Sequence, residues 1–482
     1  MAFDDDPADF APAPGRSPDS LVPSAPPRRR TEIVKNTHSR PGTPGPMHGA
    51  LLAAIEDRRA RVAIIGQGYV GLPLAMAICE AGFDVTGYDI NEGTVAALNS
   101  GRSHIGDISD QELQAAIAAG RYRARCNFDA MGEADVVSIC VPTPLSKTRD
   151  PDISYIVDAT KQVAQRLRRG QLVVLESTTF PGTTEEVVLP LFSESGLTVG
   201  KDYFLCFSPE RVDPGNPNFD SHNTPRLIGG ITENCGTAGA AMYRSFLEHV
   251  VLMSSTQAAE MAKLLENTFR AVNIGLVNEV AVMCRKLGLD TWEVIDGAAT
   301  KPFGFMKFYP GPGLGGHCIP VDPHYLSWVL KRLNYTARFI ELASEVNTGM
   351  PAYVVELISD ALNDDRKAVN GSRILVLGVA YKANVSDMRE SPALDVVQLL
   401  QERGADVRYH DPHVPRIRLT DEGSLESVPL TDDELTGADL VVITAAHQSI
   451  DWARVGRTAG RIVDTRNAMA RVEGVTARVT KL

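Results

Sequence analysis

Cys318 ends a glycine-rich stretch, 310–317, and the carboxyl group of Asp322 follows it four residues later. Glycine adds little side-chain bulk and lets backbone N–H groups approach a ligand closely, so a large ligand can reach this thiol. We interpret Cys318 as a nucleophile, against the commoner fate of cysteine as a buried, inert core residue. A metal site made of His317, Cys318, Asp322 and His324 is a weaker alternative, because the cluster lacks the spaced ligand pairs of structural zinc sites.

A glycine motif near the start of the chain predicts a dinucleotide-binding turn. An apolar run ends at Ile65, a helical pattern follows, and Asp89 ends the next apolar run. The motif itself reads Gly66, Gln67, Gly68, Tyr69, Val70, Gly71. Its glycines allow a tight turn and the close approach of a pyrophosphate to a helix N-terminus, while the acidic residue can bond the adenosine ribose. Asp89 would repel a 2′-phosphate, so the motif favours NAD over NADP.

A nicotinamide cofactor together with an accessible cysteine suggests the oxidation of an alcohol through a covalent sulfur intermediate. Such chemistry needs groups that stabilise an oxyanion and orient water. Lys263 and Asn267 lie four positions apart on one face of a predicted long helix, and Glu260 lies one turn before Lys263. Alone, this spacing is equally typical of a solvated helix face. It gains weight only in combination with Cys318.

The composition indicates a globular protein of two or three domains, since the 482 residues are 44% hydrophobic and 22% charged. The net charge of -12 argues against general binding of nucleic acid or of anionic membranes. The seven cysteines are scattered without a CxxC pair, which favours reduced thiols and a cytoplasmic location. No apolar run approaches the roughly 20 residues that a membrane-spanning helix needs.

The order of the patterns predicts an α/β fold in which a central helical domain joins two Rossmann-like, doubly wound parallel sheets. The start of the chain is rich in proline and in polar residues, which is typical of a disordered tail. The predicted parts are the tail over 1–50, a dinucleotide-binding domain over 51–250, a central helical domain over 251–350 and a second Rossmann-like domain over 351–482.

Helical periodicity dominates the central part. We expect a long helix over 255–287, a helix over 322–333, and another over 339–356 that is interrupted or kinked at Pro351. A helical segment of this kind can serve as a spacer or as a surface for self-association.

The last part of the chain repeats the signals of the first. Gly378 follows an apolar run and Asp411 ends the next one, in the order of the first motif. The glycine triad is missing, so we do not expect a second NAD there. Lys382 and Arg389 in the longer loop suit a phosphate-bearing ligand such as a nucleotide diphosphate, although either side chain could form an ordinary ion pair instead.

Over nearly its whole length after the tail, the chain resembles the UDP-glucose/GDP-mannose dehydrogenase family. The matching motifs are the glycine motif at 66–71, Val141-Pro142-Thr143-Pro144, Ser177-Thr178-Thr179, Ser208-Pro209-Glu210, the segment 260–264 with Asn267, Gly315-Gly316-His317-Cys318 with Asp322, and Tyr381-Lys382 with the segment 387–391. The resemblance implies an NAD domain, a helical dimerisation centre and a UDP-binding domain. It also implies a four-electron oxidation of a sugar C6 alcohol to the uronic acid with two NAD.

The resemblance implies roles for individual residues. Cys318 matches the nucleophile, which forms a thiohemiacetal and then a thioester. The other catalytic matches are Lys263 and Asn267 for the oxyanion and water, Asp322 for orienting water or tuning the lysine, and Glu210 and Thr178 for thioester hydrolysis. Thr143, Ser177 and Arg389 match NAD contacts beside the glycine motif and Asp89. The matches on the UDP-sugar side are Tyr381 and Lys382, with Glu210, Arg211, Lys263, Asn267 and Gly315 as further substrate contacts.

The chain departs from the UDP-glucose enzymes of the family: histidine, not serine, precedes Cys318, and Pro214 stands where those enzymes carry an acidic residue. The segments 176–183 and 208–216 are more similar to the branch that oxidises UDP-N-acetylhexosamines. The resulting hypothesis is a UDP-N-acetylglucosamine 6-dehydrogenase or a close relative, active as a homodimer or higher oligomer. The alternatives are a UDP-glucose or UDP-N-acetylmannosamine enzyme and, in another class, a non-catalytic sensor of NAD and nucleotide sugars.

Overall fold

The computed structural model describes residues 45–146, 150–212, 223–316, 319–419 and 423–482. The predicted tail lies outside these residues up to position 44. The first helix, α1, spans Pro46–Glu56, a few residues before the expected start of folded chain. Proline suits the first turn of a helix, where its missing N–H would be unpaired anyway. Helix α1 buries His48, Leu51 and Ile55, so these residues belong to the folded part and not to the tail.

The N-terminal part of the described chain contains an eight-stranded sheet, called the first sheet below. Its strands are β1 (Arg61–Ile65), β2 (Asp84–Tyr88), β3 (Tyr122–Arg125), β4 (Val136–Ile139), β5 (Leu172–Leu175), β6 (Phe204–Phe207), β7 (Arg226–Gly230) and β8 (Val250–Met253). Their order is β3-β2-β1-β4-β5-β6-β7-β8. Strands β1 to β6 are parallel, whereas β7 pairs antiparallel with β6 and carries β8 with it. The residues of β4, β5 and β6 are all buried, as expected for strands covered on both faces.

Helices cover this sheet. They are α1, α2 (Gly71–Glu80), α3 (Glu92–Asn99), α4 (Asp110–Ala118), α5 (Ser154–Ala164), α6 (Leu189–Phe192) and α7 (Glu233–Arg244), with a π-helical turn over Thr184–Val188 before α6. The predicted βαβ unit is β1, α2 and β2, with Ile65 paired to Tyr88 at its end. Side chains of β1 and β2 form one core with α2, because their apolar residues face it on alternate positions.

The central part consists of helices α8 (Thr256–Leu287), α9 (Thr291–Ala299), α10 (Asp322–Lys331) and α11 (Arg338–Asp364). Ser255 caps α8 by accepting a hydrogen bond from Ala258 N–H, and Gly288, with a φ of 71°, ends it. Helix α11 is not interrupted at Pro351, which was expected as one possibility. Pro351 is buried in the helix, and the packing of α11 along α8 supports the turn that lacks one hydrogen bond.

The C-terminal part of the chain contains a five-stranded parallel sheet, called the second sheet below, in the order β10-β9-β13-β14-β15. Its elements are β9 (Arg373–Leu377), α12 (Pro392–Glu402), β10 (Asp406–His410), α13 (Asp432–Gly437), β13 (Leu440–Ile443), α14 (Trp452–Thr458), β14 (Arg461–Asp464) and β15 (Arg478–Lys481), with a hairpin of β11 (Arg416–Leu419) and β12 (Gly423–Glu426) beside them. The predicted fold class, two Rossmann-like sheets joined by a helical centre, is confirmed.

The two sheets repeat one locking contact. Asp135 N–H donates to Arg61 O while the Asp135 carboxylate accepts from Arg61 N–H. Asp439 and Arg373 form the same reciprocal pair at the start of β13 and β9. Asp135 and Asp439 therefore occupy equivalent places in the two sheets.

Two properties of the described residues bear on the expectations from composition. No helix among them is long and apolar enough to cross a membrane. The six cysteines that they include are all free thiols.

Candidate active site

The glycine motif forms the turn between β1 and α2. Gly66 has a φ of 89°, and a Cβ there would lie 2.5 Å from Cys140 O. A Cβ on Gly71 would lie 1.9 Å from Gly66 O, so the turn excludes any side chain at either position. A Cβ on Gly68, by contrast, would meet nothing within 4 Å. The backbone is therefore open on the side of Gly68, where a pyrophosphate can approach the N-terminus of α2.

Asp89 lies at the carboxyl end of β2, half-exposed beside this turn. Its carboxylate accepts hydrogen bonds from Gln67 N–H at 3.0 Å and from Asn91 N–H at 2.9 Å. These bonds fix the carboxylate at the mouth of the glycine turn. The turn and the carboxylate together fit a dinucleotide, with Asp89 positioned for the ribose hydroxyls.

The other predicted NAD contacts surround this turn. Tyr69 is exposed, and the Arg389 guanidinium lies over its ring, with Cζ 4.4 Å from the ring centroid. Arg389 also pairs with Asp387 at 2.7 Å. Ser177 is buried and donates to Val141 O at 2.8 Å. Thr143 is buried and lies near the Tyr325 hydroxyl. Val70 is the N-cap residue of α2.

Three predicted catalytic side chains meet where α8 faces the start of α10. Asn267 of α8 donates a hydrogen bond of 2.5 Å to the Asp322 carboxylate. Asp322 and Lys263 are both buried. Burial raises the pKa of Asp322 to about 6, although the nearby Lys263 ammonium and the Asn267 hydrogen bond act in the opposite direction. This cluster joins a cation, an amide and a carboxyl group that can exchange a proton near neutral pH.

Glu210 follows β6 and lies close to this cluster. Its carboxylate accepts from the backbone N–H groups of Arg211 at 2.7 Å and Val212 at 2.9 Å, and from Arg226 at 2.8 Å. Burial alone would raise the pKa of Glu210, but Arg226, these N–H groups and Lys263 together lower it. Glu210 is therefore an anion at neutral pH, so its carboxylate is in the form that can accept a proton.

Thr178 is half-buried in the loop after β5, next to the carboxyl end of the sheet. Glu260, on the helix face predicted to carry Lys263, does not join the cluster. Its carboxylate accepts from Gly182 N–H at 2.6 Å and from the backbone and hydroxyl of Thr184. Glu260 thus caps the π-helical turn Thr184–Val188 and fixes the loop that carries Thr178 to α8.

The glycine-rich segment before Cys318 lies against the second sheet's loops. A Cβ on Gly311 would lie 2.4 Å from the Arg466 guanidinium, one on Gly313 2.9 Å from Pro392, and one on Gly316 2.9 Å from the Tyr381 ring. We expected these glycines to leave room for a large ligand. At these positions they instead let the segment touch its own chain.

The end of this segment was predicted to hold the nucleophile. His317 and Cys318 lie outside the described residues, as does Pro214. The described flanks are Gly316, whose N–H donates to Arg389 O at 3.0 Å, and Asp322 at the start of α10.

The remaining predicted substrate contacts are placed as follows. Tyr381 is half-buried against Gly315 and Gly316, and Lys382 is half-buried beside it. Arg211 is engaged by Glu266 of α8 at 2.7 Å and by Pro225 O at 2.6 Å. The guanidinium of Arg211 thus ties the Glu210 loop to α8.

Sequence reasoning missed two arginines. Arg466 follows β14, donates to Thr444 O at 2.8 Å and contacts Gly311; burial lowers its pKa to about 10. Its position after a parallel strand of an open α/β sheet, where ligands usually bind, was a usable signal. Arg226, at the start of β7, could not be found in this way, because its location depends on the direction of its strand.

The fold and the site define a dinucleotide-binding oxidoreductase with a second nucleotide-type domain. Three sequence profiles of the UDP-glucose/GDP-mannose dehydrogenase family match the chain: the NAD binding domain over residues 60–247, the central domain over 257–349 and the UDP binding domain over 375–471. The chain belongs to this family, and the resemblance seen in the sequence is confirmed. It is an NAD-dependent UDP-sugar dehydrogenase, with NAD as its cofactor.

Individual relatives are similar over most of their length. A UDP-N-acetyl-D-mannosamine dehydrogenase of Pyrococcus horikoshii is 37% identical, over 84% of this chain and 95% of that protein. A UDP-N-acetyl-D-glucosamine 6-dehydrogenase of Pseudomonas aeruginosa is 35% identical, over 73% of this chain and 83% of that protein. The solved structure of the UDP-N-acetyl-D-mannosamine dehydrogenase from Pyrococcus horikoshii matches with a TM-score of 0.78 at 36% identity, over 87% of this chain and 98% of that one.

Proposed function

We propose that this protein oxidises the C6 alcohol of a UDP-N-acetylhexosamine to the uronic acid, and that UDP-N-acetylglucosamine is its first candidate substrate. The observation that carries the proposal is the meeting of Lys263, Asn267 and Asp322 next to the Glu210 carboxylate. In the sequence, Cys318 precedes Asp322 of this cluster by four residues. Such a set can oxidise an alcohol to an acid, because it can stabilise an oxyanion and activate water in one place.

UDP-N-acetylmannosamine is the second candidate. Several relatives at 34–37% identity are named for the dehydrogenation of this sugar. The two candidates are epimers at C2, far from the reacting C6 atom. The same catalytic groups therefore serve either substrate, and the pocket for the acetamido group decides between them.

The glycine turn at 66–71, Asp89 and Arg389 would hold NAD, which when bound would supply the hydride acceptor for both oxidation steps. The ammonium of Lys263 and the amide of Asn267 face the oxygen on C6 and stabilise its negative charge. The sulfur of Cys318 adds to the aldehyde carbon to give a thiohemiacetal, and the second oxidation leaves a thioester on the same sulfur.

Hydrolysis then releases the acid. Glu210 takes a proton from a water molecule as that water attacks the thioester carbon, with Thr178 helping to place the water. The carbon–sulfur bond breaks and the thiolate of Cys318 leaves. Asp322, whose pKa of about 6 lets it exchange protons near neutral pH, holds Asn267 and tunes Lys263 through these cycles.

A panel of nucleotide sugars tests the proposal. The purified protein is incubated with NAD and with UDP-N-acetylglucosamine, UDP-N-acetylmannosamine or UDP-glucose, and NADH is counted against acid formed. We expect two NADH per uronic acid with at least one N-acetyl sugar. Turnover of UDP-glucose alone would refute the assignment to N-acetyl sugars, and one NADH per sugar would refute the four-electron reaction.

The Cys318→Ser variant tests the covalent route. We expect it to lose acid formation while it keeps NAD binding, because serine is a poorer nucleophile and a poorer leaving group in the same place. A variant that still forms acid at the normal rate contradicts the thioester. Unchanged NAD binding in a wild-type protein that forms no acid would favour the sensor instead.

We also propose that the protein acts as a homodimer through α8. One stripe of this helix exposes large apolar side chains to solvent: Met261, Leu265, Phe269, Leu276, Met283 and Leu287. Leu265 is 57% and Leu287 72% exposed, which is costly for a lone chain and typical of a surface that a second copy covers. The edge strand β8 also exposes two apolar side chains, Val251 and Leu252.

The oligomeric state follows from light scattering after size exclusion. We expect the wild type to run as a dimer or larger and the double variant Leu265→Glu, Leu276→Glu to run as a monomer. Leu333→Glu, which is 58% exposed but lies off α8, is the matched control and should leave the oligomer intact. Dimers that survive both changes on α8 would exclude this interface.

A further inference from the structure

Arg226 lies at the catalytic edge of the first sheet because of the direction of its strand. β7 runs antiparallel to β6, with Phe207 opposite Gly229. The first residue of β7 therefore lies beyond the carboxyl end of β6, where Glu210 follows. In a parallel β7 the same residue would lie at the opposite edge, far from the site.

The guanidinium of Arg226 joins two loops of the site. It donates to Glu210 at 2.8 Å and to Pro209 O at 2.9 Å in the loop after β6. It also lies 3.4 Å from the carboxylate of Glu176, which directly precedes Ser177 and Thr178 in the loop after β5. One buried cation, only 4% exposed, thus fixes both loops.

Helix α7 supplies further contacts to Glu176 and Arg226 through Tyr243. The Tyr243 hydroxyl donates to Glu176, and the Arg226 guanidinium lies 5.4 Å from the centroid of the Tyr243 ring. The Glu176 side chain is fully buried. The carboxylates of Glu176 and Glu210 are therefore both paired with the guanidinium inside the protein, which restricts the movement of all three groups.

Two carboxylates share this one cation. Burial raises the pKa of Glu176 to about 7, against the effects of Arg226 and Tyr243, whereas the pKa of Glu210 is lowered. Near neutral pH the charge of Arg226 thus mainly balances Glu210. The other charged groups around Glu210 are Lys263 from α8 and the pair of Arg211 and Glu266.

We propose that Arg226 is the positioning residue for hydrolysis: through its bonds to Glu210 and Glu176 it holds the base and the Thr178 loop at the distance that the attacking water needs. This inference rests on the proposed role of Glu210. Arg226 contacts neither substrate nor cofactor in this arrangement, and it acts only through the groups that it holds.

The test measures thioester hydrolysis apart from binding. The enzyme is mixed with NAD and UDP-N-acetylglucosamine, or UDP-N-acetylmannosamine if the panel selects that epimer, and the acyl-enzyme is followed by intact-protein mass spectrometry. In Arg226→Gln we expect hydrolysis to slow by about 100-fold, so that the acyl-enzyme accumulates, while both KM values stay within about threefold. Arg226→Lys should recover part of the rate, because its ammonium can reach only one carboxylate.

The pH profile separates positioning from a structural role. Loss of the cation in Arg226→Gln should move the acidic limb of kcat up by about one pH unit. Glu176→Gln should leave the limb unmoved, because the Glu176 carboxyl group, with a pKa of about 7, is already neutral where Glu210 titrates. If Arg226→Gln fails to fold, Arg226→Lys still decides the question, because an ammonium group that reaches only one carboxylate should move the limb up by a smaller amount. A rate loss in Arg226→Lys with an unmoved limb would overturn the proposal.

Two controls locate the cause of a negative result. Arg461 is another buried arginine; it begins β14 of the second sheet and pairs with Asp364 at 2.5 Å. Arg461→Lys should therefore leave hydrolysis unchanged. Glu210→Gln should block hydrolysis by itself. Normal hydrolysis in Glu210→Gln would contradict the proposed function, whereas a blocked Glu210→Gln beside normal Arg226 variants would contradict only the role of Arg226.

Discussion

The loop after β1 in the first sheet and the loop after β9 in the second have the same backbone geometry. Gly66 and Gly378 have φ values of 89° and 83°. A Cβ on either glycine would lie 2.5 Å from a carbonyl oxygen that follows the neighbouring strand, Cys140 O in one sheet and Ala445 O in the other. Both positions therefore require glycine for the same reason: the chain turns directly against a backbone carbonyl group that follows the neighbouring strand.

The carboxylates at the ends of β2 and β10 differ. Asp89 is half-exposed and accepts two backbone hydrogen bonds. Asp411 is buried and accepts four, from Val379, Ala380, His413 and Val414, as well as one from the His447 ring at 3.0 Å. In the second sheet the protein itself thus fills the place that a ribose can occupy in the first.

A strand, a glycine and an acidic residue can therefore form the same local structure whether or not they bind a dinucleotide. Binding requires that the acidic side chain keep some exposure and that the helix begin directly after the turn. Helix α2 starts at Gly71, close to β1, whereas α12 starts at Pro392 after a longer loop that carries Tyr381 and Lys382. That loop contacts the glycine segment before Cys318 instead of opening a dinucleotide cradle.

Alanine at either turn glycine is the most drastic test of the shared geometry. Gly66→Ala and Gly378→Ala should each lower the free energy of unfolding by about 3–5 kcal/mol, because the Cβ meets a carbonyl oxygen and the φ is positive. Urea unfolding of the full-length protein measures this. Gly82→Ala has a positive φ with nothing within 4 Å of its Cβ and should cost only about 1 kcal/mol. Tolerance of one turn variant and not the other would break the equivalence.

The two aspartates should separate stability from binding. Asp411→Ala leaves several buried N–H groups unpaired and should cost about 3 kcal/mol of unfolding free energy, with the KM for NAD within about twofold of the wild type. Asp89→Ala should raise the KM for NAD on the order of 10- to 100-fold with little change in stability. Each variant is the control for the other. A rise in the KM for NAD caused by Asp411→Ala would show that the second sheet takes part in NAD binding.

The pH dependence of stability should have opposite signs at Asp411 and at Asp322, the buried acid between the sheets. Burial alone raises the pKa of Asp411, but His447 and the backbone N–H groups lower it below the ordinary 3.8. Its stabilisation is present above 3.8 and is lost as pH falls through that lowered pKa. The pKa of Asp322 is raised to about 6, so its contribution is present below 3.8 and is lost as pH rises through 6.

The two variants Asp411→Ala and Asp322→Asn test these signs. At pH 8, Asp322→Asn should be more stable than the wild type by up to about 3 kcal/mol, and the gain should shrink toward pH 4. The deficit of Asp411→Ala should stay constant between pH 5 and pH 8. Urea unfolding at a series of pH values distinguishes the two patterns, and a gain in Asp322→Asn that is equal at pH 5 and pH 8 would contradict the raised pKa.

The smallest expected effect concerns the ring of Tyr69, which contacts Arg389 from the loop before α12. Tyr69 of the glycine turn lies beneath the Arg389 guanidinium at 4.4 Å. Tyr69→Leu keeps the apolar bulk but removes the cation–π contact, which is worth about 0.5–1 kcal/mol at an exposed site. We expect the KM for NAD to rise about threefold through weaker closure of the Arg389 loop, measured by initial rates. Tyr69→Phe, which keeps the ring, should be unchanged.

Some residues of the site could be predicted from the sequence and others could not. Lys263 and Asn267 could be placed on one helix face, because helical spacing fixes neighbours one turn apart. The same spacing places Glu260 one turn before Lys263, but only the structure shows that its carboxylate turns toward the neighbouring loop and binds Gly182 and Thr184. Arg226 was invisible in sequence, because only the pairing of β7 with β6 decides at which edge its guanidinium lies.

The two glycine turns, the long helix α8 and the acids that end β2 and β10 could be predicted from the residues alone, because these features depend on local geometry and on periodicity. The burial of Asp411 under His447, the exposure of Asp89 and the place of Arg226 between Glu176 and Glu210 could be found only in the folded chain. Those choices depend on which strands become neighbours and in which direction they run. Contacts between distant parts of the chain set them, and local residue types carry no record of such contacts.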